Sequence, residues 1–297
     1  MEPRYPTIAR ASGNERLLIV APHMDDEAIG AGGYALDAVA SGAEVSLLFL
    51  TAGDCARFAA QILHRTIVPT STQFLSVGRT RIAEAHEVAR SLGVPRDRCF
   101  VLGYPDQGLA NILRTPTEVV RSMSTGRDRI PYSDAVSPGA RHTLQNVMSD
   151  LQRVLEITRP TTVIAPVSFD IHPDHRAGAE LIDLAIDALD WNPQRLGYLI
   201  HSSRYKSVVS LHDHVLLPPA HLRSHTWATY PLTATVQAQK DAMLQIYRSQ
   251  RPYVYLLRNA FVRPNELFFV YQSELVAVGQ PAASFACAPL SPASSSH

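Results

Sequence analysis

The sequence is short of cysteine, of lysine and of net charge. Its three cysteines, Cys55, Cys99 and Cys287, lie far apart and in no Cys-x-x-Cys spacing, which argues against a disulfide framework or a structural zinc site. Unpaired thiols are typical of cytoplasmic proteins, so the sequence predicts a cytoplasmic location. Only Lys206 and Lys240 are lysines, yet the 27 basic side chains equal the 27 acidic ones and the formal net charge is +0. Such a balance lacks the electrostatic footprint of a nucleic-acid-binding protein, and we predict no nucleic-acid partner.

Long apolar runs are also absent. No run approaches the roughly 18 residues of a membrane-spanning helix, and residues 1–20 lack the basic region and apolar segment of a signal peptide. We therefore predict no membrane insertion. The sequence has no Gly-x-Ser-x-Gly elbow. The glycines at 30, 32 and 33 do not follow the Gly-x-Gly-x-x-Gly spacing of dinucleotide-binding proteins, and we interpret them as sites of close packing between a helix and the sheet.

What the sequence does contain is an alternation of apolar strand-like and helical segments. With 297 residues, 46% of them hydrophobic and 18% charged, the chain is long enough for one large α/β domain. Strands are predicted at Leu17–Ala21, Glu44–Leu50, Arg98–Leu102, Thr161–Pro166 and Leu196–His201. Helices are predicted at Ala28–Ser41, Gly78–Leu92, Thr143–Leu155 and Ala177–Leu189. The pattern predicts a Rossmann-like, open and mostly parallel sheet with helices on both faces.

From residue 203 the pattern changes, and it predicts an antiparallel C-terminal extension. The extension comprises a hairpin within Val208–Leu217, a helix at Ala234–Tyr247 and a strand at Glu266–Tyr271. The predicted organisation is a leader (1–15), one domain (16–279, with its core at 16–202 and the extension at 203–279) and a disordered tail (280–297) rich in Pro, Ala and Ser. Long connections at 51–78 and 110–140 are predicted to shape a binding pocket.

One histidine and three carboxylates follow the first predicted strand: His23, Asp25, Asp26 and Glu27. In open α/β sheets, ligands bind beyond the carboxyl ends of the strands. His23 and Asp26 are three residues apart, so at the turn that opens a helix they can converge on a metal such as zinc. A bound cation would relieve the repulsion between adjacent carboxylates, and Asp25 would be free to act as a base. The alternative is that Asp25 or Asp26 only caps the helix.

A second cluster, His172-Pro173-Asp174-His175, follows the fourth predicted strand in the same way. Because the carboxyl ends of parallel strands meet at one edge, the two clusters should lie together. One of the two histidines would complete a His₂Asp metal set with an open position for water, as in catalytic zinc sites. The other would be free for proton transfer or charge stabilisation. Taken alone, a His-x-x-His pair belongs to a surface loop more often than not.

Further polar residues lie between the two clusters. Arg81 and Glu84 are three residues apart near the start of the second predicted helix, a spacing that usually gives an exposed pair of small energetic value. Asp106 lies between Pro105 and Gly108 and fits a plain turn. Each of the three could instead reach hydroxyl groups of a polyol at the edge of the sheet.

Four stretches of the sequence resemble the PIG-L/LmbE family of zinc-dependent N-deacetylases. The first is Ala21-Pro22-His23-Met24-Asp25-Asp26-Glu27 with Gly30 and Gly32-Gly33, and the last is His172-Pro173-Asp174-His175. Between them, Arg81, Glu84 and Leu92-Gly93, and then Gly103-Tyr104-Pro105-Asp106, follow in the family's order. The resemblance covers residues 16–190 and implies an LmbE-like catalytic domain. Family members deacetylate GlcNAc-phosphatidylinositol, precursors of mycothiol and bacillithiol, and N-acyl-glucosaminyl antibiotics.

The resemblance also implies roles for individual residues. The implied metal ligands are His23, Asp26 and His175. Asp25 would be the general base on the zinc-activated water, and His172, oriented by Asp174, would stabilise the oxyanion or protonate the leaving amine. Arg81 and Asp106 would hold sugar hydroxyls. The sequence departs from some relatives at Asp170, where they carry a tyrosine that contacts the oxyanion, so another donor is needed here.

The activity implied by the resemblance is removal of an N-acyl group, N-acetyl above all, from an amino sugar or glucosaminyl conjugate. The implied cofactor is one Zn²⁺, with Fe²⁺ or Co²⁺ as alternatives. The implied partner is the small-molecule substrate, and a homo-oligomer is compatible with this prediction. Two alternatives stay open: a metal-dependent amidase acting on a non-sugar or thiol conjugate, and a catalytically weak sugar-binding protein on the same fold.

Overall fold

The computed structural model describes residues 5–202 and 214–271, with the backbone alone at 252–255. Its strands are β1 (Arg16–Ala21), β2 (Glu44–Thr51), β3 (Cys99–Tyr104), β4 (Thr162–Pro166), β5 (Gln194–Tyr198), β6 (Trp227–Pro231) and β7 (Asn265–Val270). Its α-helices are α1 (Asp26–Ala40), α2 (Arg57–His64), α3 (Ser71–Leu92), α4 (Leu109–Arg114), α5 (Leu144–Thr158), α6 (Pro173–Ala188), α7 (Ala234–Ile246) and α8 (Arg251–Phe261). Short 3-10 turns lie at Arg96–Arg98, Ala220–Leu222 and Arg248–Gln250.

The strands form one seven-stranded sheet in the order β3-β2-β1-β4-β5-β7-β6. Strands β1 to β5 pair in parallel, and β7 then pairs antiparallel with both β5 and β6. The helices pack in two groups, with α1 against α3, α7 and α8, and α6 against α4 and α5. The predicted α/β fold, mostly parallel with an antiparallel C-terminal extension, is therefore confirmed.

The central strands carry continuous apolar runs because both faces of the sheet are covered. Leu17–Ala21 of β1 is completely buried, between β2 on one side and β4 on the other. This parallel arrangement brings the carboxyl ends of β1 to β4 to the same edge of the sheet. The polar clusters found in the sequence follow these ends.

The connection between β2 and β3 differs from its prediction. Residues 51–78 contain α2, and α3 begins at Ser71 with a capping box between Thr70 and Gln73, so the predicted helix start at Gly78 was wrong. Gly78 lies inside α3, where a Cβ atom would overlap the ring of Tyr132. The glycine therefore serves close packing and does not mark the start of the helix.

The C-terminal part also contains elements that the sequence did not indicate, namely β6 and α8. The predicted hairpin within Val208–Leu217 falls largely on residues 203–213, outside the described residues, as does the predicted tail at 280–297. Near the N-terminus, Ile8 N–H donates to the Thr229 carbonyl (2.9 Å), which adds a short stretch beside β6. None of the helices in residues 5–202 and 214–271 has the length and apolarity to cross a membrane. The domain boundaries and the cytoplasmic location stay predictions.

Candidate active site

The eight residues to which the family resemblance assigns a role all lie in one connected cluster at the carboxyl edge of the sheet. Strand β1 leads to residues 23–27, here called the acidic turn, β3 leads to Asp106, β4 leads to residues 170–175, and α3 supplies Arg81. Each member of the cluster is buried or half-buried, with Asp174 and His175 completely inaccessible. Buried carboxylates and imidazoles need charge partners, so their mutual contacts indicate the chemistry of the site.

Three side chains of the cluster converge on one point. Asp26 Oδ2 lies 3.3 Å from His23 Nδ1 and 3.1 Å from His175 Nε2. Two ligands of a tetrahedral zinc ion, with bonds of about 2.0–2.1 Å, stand about 3.3 Å apart. Within the described part of the chain, neither ring nitrogen of His175 has a hydrogen bond of good geometry, although both are buried. The donor set, and a buried imidazole that has carboxylate neighbours but no well-formed hydrogen bond, therefore fit a divalent metal held by His23, Asp26 and His175.

The outer nitrogens of the two histidines face further carboxylates. His23 Nε2 lies 3.3 Å from Asp174 Oδ2 and 3.3 Å from Asp106 Oδ1. His175 Nδ1 lies 3.2 Å from Asp170 Oδ2. In metal sites, a carboxylate on the outer nitrogen selects the tautomer and orients the ring toward the metal. Asp170, which stands where some relatives have a tyrosine, is thus close to a metal-ligand candidate.

Buried charge controls the proton affinity of these imidazoles. Burial acts to lower the pKa of His175, but the carboxylates of Asp26 and Asp170 outweigh it and raise that pKa to about 9. Burial also acts to lower the pKa of His23, yet the surrounding carboxylates, Asp106 foremost, hold it well above its usual value. The site therefore favours positive charge between the two rings, and a divalent cation would supply that charge.

Asp25 stands beside this point with a different environment. Burial raises its pKa to about 7, against the opposing charge of Arg81, whose guanidinium Nη2 lies 3.4 Å from Asp25 Oδ1. A carboxylate with a pKa near neutrality is well suited to general-base catalysis. The backbone of Asp25 has a φ of 126°, which is unfavourable for a residue other than glycine and is typical of functional sites.

His172 is the N-cap of α6, and its neutral form is favoured. Burial lowers the pKa of His172 to about 4, and charge on His23 and His175 acts in the same direction. Its Nδ1 accepts the backbone N–H of Asp174 (3.2 Å), which leaves the ring proton on Nε2. Nε2 lies 3.2 Å from the side-chain nitrogen of Gln107, which is itself a donor, so a proton on His172 Nε2 requires the Gln107 amide to turn its oxygen toward the ring. The ring can thus present a donor at the edge of the site.

Three other predicted residues make contacts that the sequence did not indicate. Arg81 donates to the carbonyls of Met24 and Gly53, so its guanidinium fixes two loops. Asp106 Oδ2 accepts the backbone N–H of Cys55 (2.9 Å). Asp174 directs its carboxylate to His23 and to backbone N–H groups of 107 and 109, whereas it meets His172 only through its own backbone N–H.

Sequence reasoning missed two residues of the site. The His201 ring centroid lies 4.6 Å from that of His175, and Asp26, His175 and His201 could each offer a ligand atom within 4.8 Å of the others. Its position at the end of the fifth predicted strand was the available signal. Asp54 follows β2, accepts a hydrogen bond from Tyr132, and has a pKa raised to about 7, by burial first and then by Asp106.

A buried ion pair supports a break in helix α1, shortly after the acidic turn. Helix α1 is interrupted at Ala31, where φ is −143° and ψ is 15°. Lys240 Nζ donates to the Ile29 carbonyl (2.8 Å), and Glu266 accepts the backbone N–H groups of Gly33 and Tyr34 (2.7 and 2.8 Å). The Lys240–Glu266 pair (2.6 Å) therefore satisfies both ends of the break.

The glycines of α1 allow close approach of neighbouring side chains. A Cβ atom at position 30 would lie 2.6 Å from Tyr198 Cγ, and one at position 32 would lie 2.9 Å from Met243 Cε. Gly30 therefore brings α1 close to β5 of the sheet, as the interpretation of the sequence expected, whereas Gly32 brings it close to helix α7.

Comparison with known families gives one match. The sequence matches the family PIG-L, described as GlcNAc-PI de-N-acetylase, over residues 18–186. None of the curated proteins matches the chain. The matched range begins in β1 and ends in α6, and it contains both polar clusters.

Several solved structures share the fold. A deacetylase of the teicoplanin biosynthesis pathway is 17% identical, with a TM-score of 0.55, covering 85% of this chain and 96% of that chain. N,N'-diacetylchitobiose deacetylase from Pyrococcus horikoshii is 20% identical, with a TM-score of 0.50 and coverages of 86% and 83%. The 4-carboxy-2-hydroxymuconate hydratase from Pseudomonas putida is 16% identical, with a TM-score of 0.53 and coverages of 92% and 99%. Because the fold carries both deacetylases and a hydratase, the reaction must be argued from the family match and the side chains.

Proposed function

The chain belongs to the PIG-L family of GlcNAc-PI de-N-acetylases. From this premise we propose that it is a metal-dependent hydrolase. The proposed reaction removes an N-acyl group, N-acetyl above all, from an amino sugar or glucosaminyl conjugate. The observation that carries the proposal is the convergence of His23, Asp26 and His175 on one point, with Asp25 beside it and outside the ligand set. A sugar-binding protein would have no need of a buried carboxylate with a pKa of about 7.

The residues fit one divalent cation, for which we propose Zn²⁺ with Fe²⁺ or Co²⁺ as alternatives. When bound by His23, Asp26 and His175, it would polarise the amide carbonyl and make water acidic enough to ionise near neutral pH. The carboxylates on the outer nitrogens, Asp174 and Asp170, would hold both imidazoles with the inner nitrogen free to ligate.

The remaining steps belong to residues of the chain. Asp25 takes a proton from the attacking water as the new C–O bond forms at the amide carbon. His172 donates from Nε2 to the developing oxyanion. Its ring suits this role because it is neutral and its Nδ1 accepts the backbone N–H of Asp174. The C–N bond then breaks, and the proton held by Asp25, or one from His172, goes to the leaving nitrogen. The products are a carboxylic acid and a free amine.

We propose that Asp106 accepts a hydroxyl of the sugar. Its Oδ1 lies 3.3 Å from His23 Nε2 but makes no hydrogen bond of good geometry within the described residues, while Oδ2 accepts the backbone N–H of Cys55. Both terminal nitrogens of Arg81 bind backbone carbonyls and its Nε is buried, so we propose that Arg81 serves substrate binding by holding the loops around the substrate.

Asp106→Asn is expected to raise KM for an N-acetyl amino sugar about tenfold, because a charged hydrogen bond to a hydroxyl becomes a neutral one. Steady-state kinetics with the sugar and with a non-sugar N-acetyl amine would test this. The KM for the non-sugar amine should not change. An equal rise for both compounds would show that Asp106 acts on His23 and not on the sugar.

Removal of the metal is expected to abolish activity, and added Zn²⁺ is expected to restore it.

In a binding assay without substrate, Asp170→Asn should weaken Zn²⁺ affinity about 10- to 100-fold, because the outer nitrogen of His175 loses its anionic partner. Asp183→Asn is the matched control, since Asp183 lies on the same helix but pairs with Arg195. Full activity in chelator would contradict the metal-dependent mechanism, and unchanged affinity in Asp170→Asn would contradict the role of Asp170.

The substrate class is tested by mass-spectrometric detection of deacylation across N-acyl amino sugars, thiol conjugates and non-sugar amides, with and without Zn²⁺. Release of acid from the amino sugars is the expected result. Release from the other two classes alone would favour the amidase alternative. Binding of sugars without any release would favour the weak sugar-binding alternative.

A further inference from the structure

A chain of hydrogen bonds reaches the backbone of Asp25 from the C-terminal part of the protein. Tyr247 Oη donates to Glu27 Oε1 (2.5 Å), and Glu27 Oε2 accepts the backbone N–H of Asp25 (3.1 Å). Tyr247 and Glu27 are completely buried. Tyr247 follows α7 and lies outside the range that matches the family, 18–186.

The end point of this chain is a strained residue. With a φ of 126°, Asp25 adopts a backbone conformation that is unfavourable for a residue with a side chain, and its surroundings must enforce it. On its carbonyl side, Asp25 accepts the N–H of Ile29 (3.0 Å). On its amide side, the Arg81 guanidinium holds the Met24 carbonyl, and Glu27 holds the N–H group. Without Glu27, that buried N–H would lose its partner.

Glu27 depends in turn on Tyr247. Burial raises the pKa of Glu27 to about 8, so the group is a neutral carboxyl near pH 7. A buried carboxyl group that loses a hydrogen bond must recover one elsewhere, because an unpaired buried polar group is costly. Reorientation of Glu27 would release the Asp25 N–H and allow the acidic turn to relax. A displacement of Asp25 by about 1 Å is enough to lower a rate by about two orders of magnitude.

We propose that Tyr247 and Glu27 are positioning residues that hold Asp25 in its strained backbone conformation, and hence its carboxylate in place for the reaction. This inference rests on the proposed deacylase function. It assigns the extension a part in catalysis, since Tyr247 acts on the acidic turn of the core without contact to substrate. Such residues should affect kcat and leave KM unchanged.

The test compares Tyr247→Phe with Tyr34→Phe. Tyr34 is also buried and donates to a glutamate, Glu15 (2.9 Å), but on a part of α1 remote from the acidic turn. Both variants lose one hydroxyl, so similar falls in melting temperature are expected. Tyr247→Phe should lower kcat about 10- to 100-fold with KM and Zn²⁺ affinity unchanged, whereas Tyr34→Phe should keep the wild-type kcat.

Substitutions of Glu27 provide the second arm. In Glu27→Gln, the amide oxygen can still accept the Asp25 N–H, so most activity should remain, whereas Glu27→Met should lose as much as Tyr247→Phe. Adding Tyr247→Phe to Glu27→Met should cause no further loss of kcat, because both substitutions act through one chain of hydrogen bonds.

The inference would be overturned if the wild type is active and the Tyr247→Phe and Tyr34→Phe variants have the same kcat. A wild type inactive on every substrate class would instead overturn the proposed function. If Tyr247→Phe fails to fold, the difference between Gln and Met at position 27 decides.

Discussion

Asp25→Asn is expected to lower kcat of the deacylation by about 10²- to 10⁴-fold, the usual contribution of a positioned general base. Asparagine has the shape of aspartate but cannot take a proton from water. Asp25 lies outside the group of side chains that converge on Asp26 Oδ2, so bound Zn²⁺ should stay at the wild-type level. Steady-state kinetics and metal content on the same preparation would measure both effects.

The control is Asp37→Asn, which changes the same residue type on the same helix. Asp37 lies near the other end of α1 and contacts Arg10 and Tyr230. This variant should keep the wild-type kcat. If Asp25→Asn also kept it, with metal bound, the base would have to be another group and the proposed mechanism would be wrong.

Lys240→Met is expected to lower the free energy of unfolding by about 3–5 kcal/mol, because it leaves the partner of a buried ion pair without compensation. Lys240 and Glu266 are both inaccessible, and together they satisfy the backbone groups exposed at the break in α1. Denaturant unfolding followed by circular dichroism would measure the loss. Arg96→Met is the matched control, because Arg96 forms an exposed pair with Asp134 (2.8 Å), and its loss should stay below about 1 kcal/mol.

A second substitution separates the charge of Glu266 from its role as an acceptor. In Lys240→Met/Glu266→Gln, the neutral amide removes the buried charge, and its oxygen can still accept one backbone N–H of α1. The double variant should therefore recover part of the stability lost by Lys240→Met. If the free energy of unfolding of Lys240→Met lies within about 1 kcal/mol of the wild-type value, the Lys240–Glu266 pair does not stabilise the break.

The five parallel strands were predictable to within a few residues because a buried parallel strand needs a continuous apolar run, whereas β6 was not predicted. The first residues of the helices were predicted less accurately. Gly78 looked like a helix boundary because glycine usually ends helices, but the residue is there to accommodate Tyr132. Sequence spacing alone cannot distinguish these two uses of glycine, since the second depends on a side chain more than fifty residues away.

The sequence by itself determined the parallel core and the presence of two polar clusters. His23 and Asp26, or His172 and His175, are near neighbours in the chain, so their convergence follows from local geometry and the parallel order of the strands. Only the tertiary structure decided which atoms face each other and what supports them. Lys240 meets Ile29 across 211 residues and Tyr247 meets Glu27 across 220. Contacts over such separations depend on how whole elements pack, and no local pattern encodes them.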